Sequence, residues 1–121
     1  MKVLMLTTQH PPLDDRIFYK EARSLRDAGY KVTVLAGGDK GEITEVEGID
    51  MVRVAPTSRF FKGESRRKGM LKRAIAIAPD VVHCHEPESL DMAMRIRESA
   101  GSRLVYDAHE DHAEMIRMSA L

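Results

Sequence analysis

The sequence predicts an α/β domain: a mainly parallel sheet with helices on both faces. Three observations carry this. Short, continuous apolar runs of strand length recur, a pattern that suits strands covered on both sides. They alternate with stretches whose apolar residues fall at helical spacing. Glycine or proline stands at most of the joints.

In chain order, Val3-Leu4-Met5-Leu6 is the first strand, stopped by Pro11-Pro12. Asp14 or Asp15 then caps a helix with Phe18, Ala22, Leu25 and Ala28 on one stripe, and Gly29 sits where a helix stop is expected. Tyr30 to Ala36 is a second strand closed by Gly37-Gly38, and the polar, acidic stretch 39–48 reads as a surface loop or a short strand pair. Ile49 to Ala55 is a third strand, ended by Pro56. After a basic stretch, Leu71, Ala74, Ile75 and Ala78 mark a helix broken by Pro79-Asp80. Val81 to His85 is a fourth strand. Pro87 or Glu88 opens a helix carrying Leu90, Ala93, Met94 and Ile96, and Gly101 ends it. Leu104 to Asp107 is a fifth strand, and His109 to Met118 is weakly helical. Right-handed crossovers then favour a Rossmann-like three-layer sandwich with strand order 3-2-1-4-5.

The 121 residues fit one domain, and 43% apolar content is enough for a packed core. Lys+Arg and Asp+Glu are equal at 19 each, so net charge gives no argument for bulk attraction to nucleic acid or membrane. Cys84 is the only cysteine, which excludes an intramolecular disulfide and makes a reducing, cytoplasmic setting the simplest reading. No apolar run approaches the ~20 residues that span a bilayer. The opening MKVLMLTT meets His10-Pro11-Pro12 without a small-residue cleavage pattern, so it reads as a strand rather than a signal peptide.

In an open parallel sheet, ligands bind beyond the carboxyl ends of the strands, where the strand order reverses. Those ends carry His10 with Asp14-Asp15-Arg16, then His83-Cys84-His85-Glu86, then Asp107-Ala108-His109-Glu110, with His112 close behind. A histidine at a strand end is often a solvated or capping residue, but convergence on one edge argues for a site. Metal binding is one alternative, with His83, His85, Glu86, His109 and His112 as ligands. Clustered His and Glu are a permissive signal, and the HExxH helix pattern is missing. Cys84 alternates away from both neighbouring histidines and reads as core. A dinucleotide cofactor is disfavoured: the first strand-to-helix turn has no glycine, and its two prolines remove backbone donors. A phosphorylated receiver domain would need acidic and lysine residues that are not at the required strand ends. No cofactor and no metal is expected.

Three segments together resemble the N-terminal domain of glycosyltransferase family 4 enzymes: HPPLDDRIFYKEARSLRDAGYKVTVLA (10–36), PDVVHCHEPESL (79–90) and LVYDAHE (104–110). The likeness is weakest over 37–70. It implies the N-terminal, acceptor-side half of a two-domain GT-B enzyme, with the donor half absent. The implied activity is retaining transfer of a sugar from a nucleotide-sugar donor to an acceptor, with this chain inactive alone. By the same resemblance, His85 matches the active-site histidine, and His109 and Glu110 match the motif facing the cleft. Asp15 and Arg16 match the opening of the first helix; His10 and Glu86 complete the expected cleft. The chain has His10-Pro11-Pro12 where many members carry glycines. A non-catalytic α/β binding module is the competing class.

Residues 59–73 hold Arg59, Lys62, Arg66, Arg67, Lys68, Lys72 and Arg73 against Glu64, seven minus one giving +6. This reads either as a solvated helix face or as a patch for anionic phospholipid or a lipid-linked acceptor, with Phe60-Phe61 beside it. No aromatic ladder or base-reading module supports nucleic acid. The C-terminal Met115, Ile116, Met118 and Leu121 are candidates for self-association.

Overall fold

A computed structural model describes residues 1–7, 16–84 and 86–106. Six strands form one sheet: β1 (Lys2–Thr7), β2 (Lys31–Gly37), β3 (Glu42–Val46), β4 (Ile49–Val54), β5 (Val81–Cys84) and β6 (Arg103–Tyr106). Three helices are interleaved: α1 (Arg16–Asp27), α2 (Lys62–Ile77) and α3 (Pro87–Ala100). The spatial order is β3-β4-β2-β1-β5-β6, parallel except for the antiparallel β3–β4 pair at one edge. The third, fourth and fifth strands expected from sequence are β4, β5 and β6, so the expected order holds with one strand added.

The added strand comes from the acidic stretch. Glu47 and Gly48 both have positive φ, 51° and 81°. This is the backbone of a two-residue hairpin turn, whose twist matches that of the paired strands. Its tip is tied to α1: Arg26 donates to the Glu47 carbonyl at 2.5 Å, and Arg23 lies 3.4 Å from the Glu47 carboxylate.

β1 and β2 are buried from Val3 to Thr7 and from Val32 to Ala36, because both faces are covered. On one face Val3, Met5, Val32, Val34, Ile49 and Met51 pack under Ala22 and Leu25 of α1. On the other, Leu4, Leu6, Leu35, Val82 and Cys84 pack under Met70 and Ala74 of α2 and Met92, Ala93 and Ile96 of α3. Among the described residues only the α3 side of β6 is covered, and Val105 is 45% exposed.

The helix stops follow from backbone chemistry. Gly29 (φ 97°) donates to the Arg26 carbonyl and Tyr30 to the Leu25 carbonyl, a double closure that needs a left-handed residue at this position. Ala78 takes the same conformation after α2 (φ 52°), and Pro79 bars continuation. Asp80 does more than break a helix. Its carboxylate accepts from the Lys2 N–H at 2.7 Å, its N–H donates to the Lys2 carbonyl, and its own carbonyl accepts from the Arg103 N–H, which pins the amino ends of β1, β5 and β6 together.

α2 starts earlier than its apolar spacing suggests. It takes in the basic run from Lys62 onward, because Lys and Arg are good helix formers and need no apolar contact to stay helical.

Candidate functional site

The site edge is set by register. Leu6 pairs with Cys84, and Cys84 with Tyr106, so the carboxyl ends of β1, β5 and β6 stand in one row. β1 also pairs with β2 on its other side, so the strand order reverses between β1 and β5.

At that switch point one knot of polar side chains closes the gap. Thr7, the last residue of β1 and 4% exposed, donates from Oγ1 to Glu86 Oε1 at 2.5 Å. Ser89, fully buried in the first turn of α3, donates its hydroxyl (2.8 Å) and its N–H (3.1 Å) to the Glu86 carbonyl. The Ser89 hydroxyl also lies 3.5 Å from Glu86 Oε2. Glu86 is extended (φ −104°, ψ 147°) and precedes Pro87, whose fixed φ suits the first helical position. Glu86 therefore ties the end of β1 to the start of α3.

The surroundings tune two further groups. Burial pushes the Cys84 thiol up from 9.0 to about 11; the Ser89 hydrogen bond opposes the rise and the Glu86 carboxylate adds to it. Cys84 is thus a protonated core residue and no nucleophile. The Tyr106 hydroxyl is raised above its ordinary value of 10.0, first by burial and then by Cys84, Glu86 and Glu88. It is enclosed and has no hydrogen-bond partner among the described residues.

Of the residues named from sequence, Glu86 directly precedes α3 beside the end of β1, and Arg16 is the first residue of α1. His10, Asp15, His85, His109 and Glu110 lie outside the described residues, as do His112 and the apolar C-terminal residues. His83 points to the α1 face, with Nδ1 3.7 Å from Glu21 Oε2, on the opposite side from buried Cys84. Among the described residues, no group of three His, Cys, Asp or Glu is placed to hold a metal ion. None of their helices is long and apolar enough to cross a membrane. Thr7, Ser89 and Tyr106 were not foreseen. A threonine ending a wholly apolar strand was the visible signal for the first; the partner it finds depends on register, which sequence does not display.

This architecture, a mostly parallel sheet with helices on both faces, is a Rossmann-like α/β fold that it shares with solved structures. Sucrose-phosphate synthase from Thermosynechococcus elongatus aligns with a TM-score of 0.71 at 11% identity, over 96% of this chain and 35% of that one. An E. coli trehalose-6-phosphate structure bound with UDP-2-fluoro glucose aligns at 0.48 and 11% identity, over 88% of this chain and 32% of that one. The chain thus spans about a third of the length of these proteins. Among curated proteins no match is found. The family model for Glycosyltransferase Family 4 matches residues 15–118, and the chain belongs to that family.

Proposed function

We propose that this chain is the acceptor-side half of a retaining glycosyltransferase that moves a sugar from a nucleotide-sugar to a sugar or lipid-linked hydroxyl acceptor. The observation that carries this reading is the row of strand ends at the β1/β5 switch point, closed by Thr7, Glu86 and Ser89, in a chain of this family. In the transfer, the C1–O bond to the diphosphate breaks and its electron pair leaves with the nucleotide. The acceptor oxygen bonds to C1, and its proton ends on the departing phosphate. His85, between Cys84 and Glu86 in the chain, is the residue assigned to the reacting sugar; an imidazole at a strand end donates to a hydroxyl or phosphate oxygen near neutral pH. His109 and Glu110, which follow β6 in the sequence, His10 and Asp15, which fall between β1 and α1 in the sequence, and Arg16, the first residue of α1, are assigned to the same cleft.

The nucleotide diphosphate needs preorganised cations or backbone donors as charge develops. The first loop carries Pro11 and Pro12, which lack a backbone N–H. Donor binding is therefore assigned to a second domain, and the 121-residue chain is expected to be inactive. Near-attack positioning of donor and acceptor is worth several kcal/mol of barrier, and one half cannot supply it. The test is calorimetry and turnover with a panel of nucleotide-sugars on the 121-residue chain. Weak acceptor binding without donor binding or turnover is expected. Micromolar donor affinity, or turnover abolished by His85→Ala, would overturn the division of labour. Binding of neither class would favour a non-catalytic module.

A further inference from the structure

The turn between β4 and α2 leaves from the same carboxyl edge and does something a solvated loop has no reason to do. Phe60 is 90% exposed and Phe61 66%. Adjacent aromatic side chains left in water lose the free energy of burial, so sequences normally turn them inward. Here the backbone prevents it. The Ser58 hydroxyl accepts from the N–H groups of Phe60 (3.3 Å) and Phe61 (3.2 Å). The Ser65 hydroxyl accepts from those of Thr57 (3.1 Å) and Ser58 (3.3 Å), and donates to the Lys62 carbonyl at 3.2 Å. Two serines thus hold the turn in a fixed shape that presents both rings outward.

The rings are framed by cations. Of the seven basic residues in 59–73 all but Arg66 are exposed. Arg66 turns inward to the Gly38 carbonyl at 3.1 Å and Asp39 at 3.5 Å, and Lys68 pairs with Glu64 at 3.5 Å. Beneath Phe61, a groove of about 620 Å³ runs between the turn and α2 and has Lys68, Lys72 and one acid, Glu64, on its wall. Water-exposed rings beside a slot where two lysines outnumber one glutamate match the interface of an anionic bilayer, where rings enter the acyl boundary and lysines meet phosphate.

We propose that residues 57–73 dock this domain on an anionic phospholipid surface, with Phe60 and Phe61 inserted and the groove beside Phe61 taking a phosphate headgroup. A duplex nucleic acid would meet the cations but leave the rings unused. Because the turn shares its edge with the switch point, docking brings the candidate site to the lipid surface. That last step rests on the transferase reading and selects a lipid-linked acceptor within it; the docking itself does not depend on it.

The chain contains no tryptophan, so Phe60→Trp creates a single reporter. The experiment mixes this variant with phosphatidylcholine vesicles containing or lacking phosphatidylglycerol, and reads emission, quenching by brominated acyl chains and co-sedimentation. A blue shift and quenching on anionic vesicles only are expected, with at least a tenfold loss of partition in Phe60→Ser/Phe61→Ser and in Arg67→Glu/Lys72→Glu. These side chains are exposed, so a thermal melt confirms that the variants fold. Equal binding to neutral vesicles, no quenching, or a serine variant that binds unchanged overturns the proposal. So does heparin or duplex DNA binding as tightly as vesicles without moving the emission. Vesicle docking by a chain that binds neither sugar or lipid-linked acceptors nor nucleotide-sugars would refute the transferase reading alone.

Discussion

Replacing Thr7 by valine removes one hydroxyl from the switch point and little else. Valine keeps the shape and the strand preference of a β-branched residue. Thr7 is 4% exposed and its hydroxyl donates to a carboxylate at 2.5 Å. Hydrogen bonds to charged groups contribute about 1.5–3 kcal/mol. An entropy of unfolding of about 2.1 cal/mol/K per residue gives roughly 0.25 kcal/mol/K for 121 residues. The melting temperature of Thr7→Val should therefore drop by about 6–12 °C, and Thr7→Ser should keep most of the stability. Urea melts of Thr7→Val, Glu86→Ala and the double variant complete the cycle, with an expected coupling of about 1 kcal/mol or more. The Ser89 bonds to the Glu86 backbone survive in all three, so the cycle isolates the side-chain contact. A coupling below about 0.3 kcal/mol, or a Thr7→Val melt within 1–2 °C of the parent, would mean that Glu86 does not hold β1 to α3.

Three other outcomes follow from the same coordinates. The Cys84 thiol keeps its proton to about pH 11 when folded, against 9.0 for its ordinary value. The unfolded chain therefore binds fewer protons between these pH values, so this contribution is intact below pH 9 and about 2–3 kcal/mol is lost as pH rises to 11; urea melts of Cys84→Ala should show a correspondingly shallower alkaline slope. A Cβ on Gly69 would sit 2.8 Å from Val54 Cγ1, whereas one on Gly63 meets nothing within 4 Å. Gly63→Ala should stabilise by up to about 1 kcal/mol and Gly69→Ala should destabilise by about 1–2 kcal/mol, the sign reversing in a Val54→Ala background, as read by calorimetric melts. Alkylation of Cys84 at pH 8 should track global unfolding, because the residue is fully buried and protonated; labelling much faster than the unfolding rate would contradict its core placement.

The sheet order was legible because two rules suffice: alternating elements make a parallel sheet, and right-handed crossovers fix the sequence of neighbours. The sequence leaves the hairpin β3–β4 open between a loop and a strand pair because Glu47-Gly48 is a weak turn signal and β3 is exposed along most of its length, so no apolar alternation marks it. α2 was mis-started because periodicity sees only the apolar stripe, and its first two turns carry none. At the site, the chemistry of each strand end was visible, but its partners were not. Glu86 was named for the cleft, and its hydrogen bonds to Thr7 and Ser89 join residues 79 and 3 positions apart. His83 and His85 share a period-two face on paper; in the fold His83 lies on the α1 side, where it meets Glu21.

Two distances connect the candidate site with the aromatic turn. Neighbouring strands lie about 4.8 Å apart, so the ends of β1, β5 and β6 span roughly 10 Å, the width of a bound monosaccharide with its attacking hydroxyl. In the other direction the row runs from Thr7 through Gly37 at the end of β2 to Val54 at the end of β4, again about 10 Å. The turn with Phe60 and Phe61 begins there. An acceptor anchored in a bilayer at the turn would need its reactive hydroxyl on the order of 10–20 Å from the anchor to reach the switch point, the length of a headgroup carrying one or two sugars. A free sugar needs no such match. Acceptors of graded head length in vesicles would therefore separate the two: an acceptor affinity of this chain that peaks at one length requires both ends of this edge to act together, and an affinity indifferent to length leaves the aromatic turn with no part in acceptor choice.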